Sequence, residues 1–119
     1  MVKLFRASET ELISHGAYDR RYVADVVFKQ PINSAGFIWV KIPGGVETIP
    51  HAHEHLEEAF VIMSKTKMGV GSELLNLDVG DVVITEPGEA HWFLTPDGED
   101  VTIIAIKLPN LKDDKVVPE

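Results

Sequence analysis

The stretch PHAHEHLEEAF, Pro50 to Phe60, sets histidines at positions 51, 53 and 55 ahead of adjacent glutamates at 57 and 58. Only five histidines occur in the chain, and cysteine is absent. Any metal site must therefore use imidazole nitrogen and carboxylate oxygen, the donors that suit divalent first-row ions. Alternate side chains on an extended strand point to one face, about 6.6 Å apart. Two imidazoles spaced in that way can close on a single ion at about 2.1 Å per bond. His51 and His53 form such a pair. His55 shares their parity but lies nearer the coming turn, where a strand ends. A glutamate opening the next strand, EAFVIM, would face the pair across a hairpin. Glu57 and Glu58 compete for that place, since only one of them can point inward.

A fourth donor must come from far along the chain, from His15 or His91. His91 follows GDVVITEPGEA: a strand, a Pro-Gly turn, then a histidine opening another strand. That order presents a side chain rigidly inside a barrel. A solvated histidine turn without a role would explain His-x-His alone. A glutamate at hairpin distance and a histidine after a Pro-Gly turn argue against it.

The elements that must position these groups are short. The chain has 119 residues, 45% of them apolar, which suits one domain with its own core. A net charge of −8 offers no basic face for a phosphate backbone, so nucleic acid is not expected as a partner. No apolar run approaches the roughly 20 residues of a membrane span. The start, MVKLFRASETEL, lacks the apolar region of a secretory signal, which points to a cytoplasmic protein. Strand-like runs recur: YVADVVF, GFIWVKI, AFVIM, SELLNL, DVVIT, HWFLT and VTIIAIKL. Glycine and proline turns separate them, the pattern of an antiparallel sandwich or barrel. SETEL fits a brief helical turn with Ser8 as cap and Glu11 completing a capping box. Asp81 after Gly80 reads as turn chemistry. Trp92 and Phe93, beside His91, read as core and pocket wall. The segment after Pro109 is polar and reads as a surface arm. The run Val101 to Leu108 is apolar on both alternating faces apart from Thr102 and Lys107. A second layer or a partner chain must cover its outer face.

Together these residues resemble the cupin superfamily, whose two motifs lie on a small all-β double-stranded β-helix, or jelly-roll, barrel. Gly45 is followed after five residues by His51 and His53, with Glu57 and Glu58 at the two glutamate spacings. GDVVITEPGEAH has the usual length from Gly80 to His91, with Gly88 in place. There are departures. Ser64 or Lys65 stands where the first motif ends in glycine, Pro87 is displaced one place with Glu86 in its stead, and Thr95 replaces an asparagine. The resemblance implies one barrel domain over residues 1–109, with motif one at 45–65, motif two at 80–95 and a polar tail at 110–119. It implies a metal site of His51, His53, His91 and one glutamate. The form Glu-x-x-x-Val-Leu favours Glu58, with Phe60 and Ile62 inward, and Glu57 is the alternative.

Three neutral histidines and one carboxylate would leave a divalent ion with one net positive charge and, if octahedral, about two open positions. Mn, Fe, Ni and Co suit that arrangement, and Zn can enter it. The expected cofactor is one such ion per chain. The expected activity is that of a metal-dependent enzyme on a small oxygen-rich organic acid or sugar derivative, of dioxygenase, decarboxylase, isomerase or lyase type. The alternative is a non-catalytic small-molecule binding or sensor module. Glu86, Glu89, His55 and Tyr22 are candidates for an acid or base, with no ground for choosing among them. Phe60, Ile62, Trp92 or Leu94 would line the ligand pocket. The doubly apolar run, together with Val2, Leu4 and Phe5, points to a homodimer, and cupins often pair through their sheets.

Overall fold

Turns cut the chain into strands of two to eight residues. The computed structural model describes residues 2–117; Met1, Pro118 and Glu119, at the ends of the expected domain and tail, lie outside the described residues. In chain order the strands are β1 (Lys3–Phe5), β2 (Ile13–Ser14), β3 (Asp19–Arg20), β4 (Gly36–Ile42), β5 (Ala52–His53) and β6 (Glu57–Ile62). They continue with β7 (Thr66–Val70), β8 (Glu73–Leu77), β9 (Val82–Thr85), β10 (His91–Leu94), β11 (Val101–Leu108) and β12 (Lys115–Val116). One sheet has the order β1-β9-β6-β11-β4, and a second has the order β10-β7-β8. Every pairing in both is antiparallel. Two isolated bridges, Glu47 to Leu94 and His51 to His91, extend the second sheet.

Period-two alternation decides what fills the space between the sheets. Phe60 and Ile62 of β6 and Val101, Ile103 and Ala105 of β11 point inward and meet Met68, Val70 and Phe93 from the facing sheet. Each large member, such as Ile62 or Ile103, contributes about 1.5–3 kcal/mol by leaving water. Trp92 alternates the other way. Its ring lies on the outer side of β7 against Gly69, where an added Cβ would meet the ring at 2.1 Å. Only glycine admits that approach.

The outer face of β11 carries Ile106 and Leu108, which border a groove of about 650 Å³ with Val61, Val82 and Ile84. Val23, Ala24, Val26 and Phe28 form its other wall. The run Tyr22 to Phe28, expected as a strand, is extended but pairs with no strand among the described residues. Its apolar side chains turn to this groove instead, and Val27 is left in solvent.

Two further expectations change. A 3-10 turn forms at Ala7–Glu9, but its flanking residue is Arg6 and no side chain caps it; Ser8 lies inside the turn and Glu11 beyond it. The buried Asp81 carboxylate holds this segment. It accepts from Ala7 N–H at 3.0 Å, Arg6 at 3.0 Å and Asp78 N–H at 2.8 Å. Val2 and Leu4, expected on an association surface, are half-buried against the core.

The polar tail is not a loose arm over its described length. β12 pairs with β5, Lys115 opposite His53. Asp114 is buried, and its carboxylate accepts from the N–H groups of His55 (2.8 Å) and Leu56 (2.9 Å) and meets His55 Nδ1 at 2.8 Å. Its carbonyl accepts from Glu54 N–H at 2.9 Å. Asp114→Ala leaves buried donors unpaired and should destabilise the protein by about 2–3 kcal/mol. A urea midpoint unchanged from wild type would show that the tail is not anchored in this way.

Candidate metal centre

Four side chains from three places in the sequence meet at one end of the barrel. His51 and His91 exchange backbone hydrogen bonds of 3.1 and 2.9 Å across their bridge, which sets their rings 4.4 Å apart. His53 lies two residues on, on the same face, with its ring 5.4 Å from that of His51 and 5.7 Å from that of His91. The turn before β10 is tied to it, because Gly88 N–H donates to the His53 carbonyl at 2.8 Å. Glu58 enters from β6. Its Oε1 lies 2.9 Å from His53 Nε2 and 3.4 Å from His91 Nε2. One donor atom from each of His51, His53, Glu58 and His91 lies within 4.8 Å of all the others.

That donor set fits a divalent ion. Bonds of about 2.1 Å separate adjacent ligand atoms by about 3.0 Å and opposite ones by about 4.2 Å, so small shifts would close the group. His91 Nδ1 faces the Glu89 carbonyl at 3.2 Å, which turns Nε2 inward. A metal-binding imidazole is usually held by such a bond to its outer nitrogen. The inward Nε2 is buried and lacks a well-aligned hydrogen-bond partner.

The other candidates lie elsewhere. Glu57 is buried on the opposite face of β6, where it accepts from Lys29 N–H at 3.0 Å and faces Lys3 at 4.0 Å. His55 is exposed and bound to Asp114. With Glu54 these two make a second acidic group, but its Asp114 oxygens are already engaged. His15 stacks on Tyr18 and meets Arg20 on the surface. Glu86 pairs with Lys29 and Lys3, and Glu89 accepts from Glu86 N–H.

Beside His51, His53 and Glu58 opens a cavity of about 430 Å³, walled by Ile38, Val40, Phe60 and Phe93, with Lys107 and Lys115 also on its lining. Of the expected pocket residues, Phe60 and Phe93 line it. Ile62 points deeper into the core, Trp92 faces outward over Gly69, and Leu94 borders a different groove. None of Glu86, Glu89, His55 and Tyr22 lines it. The two lysines went unread in the sequence, although Lys107 interrupts an apolar run at inward parity.

Residues 38–107, more than half the chain, match the family profile of the Cupin domain. The chain belongs to the cupin family. No curated protein matches it significantly. Among solved structures, this cupin resembles an uncharacterized double-stranded β-helix protein from Klebsiella pneumoniae, with a TM-score of 0.65 and 19% identity over 76% of this chain and 80% of the other. It also resembles the DMSP lyase DddQ from Ruegeria pomeroyi, with a TM-score of 0.64 and 23% identity over 71% of this chain and 43% of the other. A third likeness is to the oxalate decarboxylase of Lactobacillus farciminis, with a TM-score of 0.63 and 18% identity over 71% of this chain and 26% of the other. The cupin thus spans less than half of either enzyme, and the likeness is one of fold. Among the described residues no helix is long and apolar enough to cross a membrane.

Electrostatics in the cupin's site favour the ligand forms of two groups. Burial, then the charges of His91, Lys115 and His53, lower His51 from 6.5 to about 4, so its ring is neutral at pH 7. Burial alone would raise Glu58; the attraction of the His53 and His91 rings outweighs it and brings the carboxyl to about 2. Both shifts have the same consequence for stability. Between about 4 and 6.5 the unfolded chain binds a proton that folded His51 refuses. Its contribution is complete above 6.5 and is lost as pH falls toward 4. That of Glu58 is complete above 4.5 and is lost toward about 2. The melting temperature of metal-free protein should therefore fall between pH 6.5 and 4, and less steeply in His51→Gln. Parallel curves for the two proteins would contradict the assignment.

Proposed function

We propose that this cupin holds one divalent transition metal ion per chain through His51, His53, Glu58 and His91, and that it is an enzyme acting on a small oxygen-rich organic acid or sugar derivative. The observation that carries the reading is the convergence of four donors, three of which (His51, His53 and Glu58) line an open cavity, with His53 Nδ1 and His91 Nε2 buried and without a hydrogen-bond partner among the described residues. Mn, Fe, Ni and Co suit three nitrogens and one oxygen, and Zn is the further candidate. The bound ion would supply Lewis acidity toward a chelating oxygen ligand. The chain's own residues do the rest. Glu58 brings a negative charge, the Glu89 carbonyl orients His91, and Phe60 and Phe93 keep water from the inner wall. Two structural neighbours are named as a lyase and as a decarboxylase of oxalate, a small dicarboxylate, which agrees with this substrate class.

A second reading, a non-catalytic small-molecule binding module, is favoured by one observation. None of the four acid or base candidates borders the cavity.

Protein loaded with Mn(II) or Fe(II) and then dialysed should keep about one equivalent, and His53→Ala should lose most of it. Glu58→Gln should lose far more than Glu57→Gln. Equal retention by wild type and His53→Ala would remove the site, and the reverse ranking of the glutamates would move the ligand to Glu57.

We also propose that residues 1–109 act as one barrel domain, to which Asp114 and β12 are fastened at the site end, and that the protein is a homodimer. In support of the dimer, Phe37 and Trp39 on the edge strand β4 are 73% and 63% exposed, beside the apolar groove over β11. Exposed apolar edges favour association. Light scattering should give about twice the 13.2 kDa chain mass at micromolar concentration. A monomer mass would refute the dimer.

A further inference from the structure

Lys107 sits at an inward position of β11, in the alternation that buries Ile103 and Ala105. Its register partner on β6 is Glu58. Lys115 reaches the same cavity from β12, where its register partner is His53. Two lysines from different strands thus line one cavity. The nearby carboxylates have partners of their own: Glu58 Oε1 lies beside His53 and His91, Glu57 Oε1 accepts from Lys29 N–H, and Asp114 accepts from His55 and Leu56 N–H. The remaining wall is largely apolar, through Ile38, Val40, Phe60 and Phe93.

We propose that Lys107 and Lys115 select an anionic ligand: a small organic molecule with a carboxylate or comparable anion, an apolar body, and a separate oxygen pair for the metal. The inference rests on the metal reading above and narrows its substrate class to the acid. A neutral sugar entering the cavity would strip water from the half-buried Lys107 and return no charge, which is unfavourable. A carboxylate replaces that water with charge-assisted hydrogen bonds. The local charge points the same way. A divalent ion with one carboxylate ligand and neutral imidazoles leaves one positive charge, and the lysines add two. This cationic mouth lies on a chain of net charge −8, so it is a local feature that draws anions over roughly one Debye length, about 8–10 Å.

The test uses the full chain loaded with Co(II), with metal content measured first. Comenic and kojic acids share a hydroxypyranone chelating group and differ in bearing a carboxylate or a hydroxymethyl. Affinities are read from the visible spectrum of the bound cobalt and corrected for each compound's affinity for free Co(II). Wild type should prefer comenate by about tenfold or more. Lys107→Met should keep its cobalt and lose most of the preference, and Lys107→Arg should retain much of it. Lys115→Met, a substitution at an exposed position, should lose part of the preference and serves if Lys107→Met does not fold. Wild type that holds cobalt but shows no preference overturns this inference alone, as does an unchanged preference in both methionine variants. Wild type that holds no cobalt overturns the metal reading, and this inference with it.

Discussion

A buried carboxylate sets the terms for this barrel. Glu58 is 4% exposed, in the middle of a sheet, and ionised. A charge in that position costs several kcal/mol unless something opposite answers it. The answering groups are the imidazoles of His53 and His91, and their placement accounts for much of the surrounding architecture. The His51–His91 bridge, the Gly88 turn hydrogen-bonded to His53, and the Glu89 carbonyl on His91 each remove a freedom that would let the rings drift from Glu58. A cation bound among them would complete the compensation.

Other buried carboxylates do mechanical work for this one. Asp114 clamps the turn between His53 and Glu58, so the C-terminal segment also fixes the spacing between two of the four donors. Asp81 binds the N-terminal segment to the turn before β9, which is the strand that flanks Glu58 on one side. Both ends of the described chain are thus tied, through aspartates, to strands that carry or border the site. A loss at either anchor reaches the site through backbone position, without touching a donor atom.

Much of this was legible in the sequence because strand alternation is a hard constraint. The parity of His51 and His53 places them on one face; alternation alone left Glu57 and Glu58 open, the family form favoured Glu58, and the structure turns Glu58 toward the histidines and Glu57 away. The strand and turn pattern pointed to a sandwich or barrel and left His15 and His91 as distant donors; the family resemblance narrowed these to a double-stranded β-helix and His91. What stayed hidden depends on partners far along the chain. Trp92 follows the same alternation and faces outward, but the sign of its space is a glycine on another strand, Gly69. Tyr22 to Phe28 has strand composition without an available edge, so it packs over a sheet instead of joining one. Asp114 looks like part of a solvated tail because the N–H groups that need it lie nearly sixty positions earlier. Lys107 was visible as a break in an apolar run, yet only the barrel shows that the break opens on the cavity.

The central claim is that His51, His53, Glu58 and His91 hold one metal ion together. Anomalous diffraction at the cobalt edge from cobalt-loaded crystals tests it most directly. One strong peak per chain is expected, within bonding distance of all four side chains. No peak between them, or a peak at the Glu54, His55 and Asp114 group instead, would contradict it.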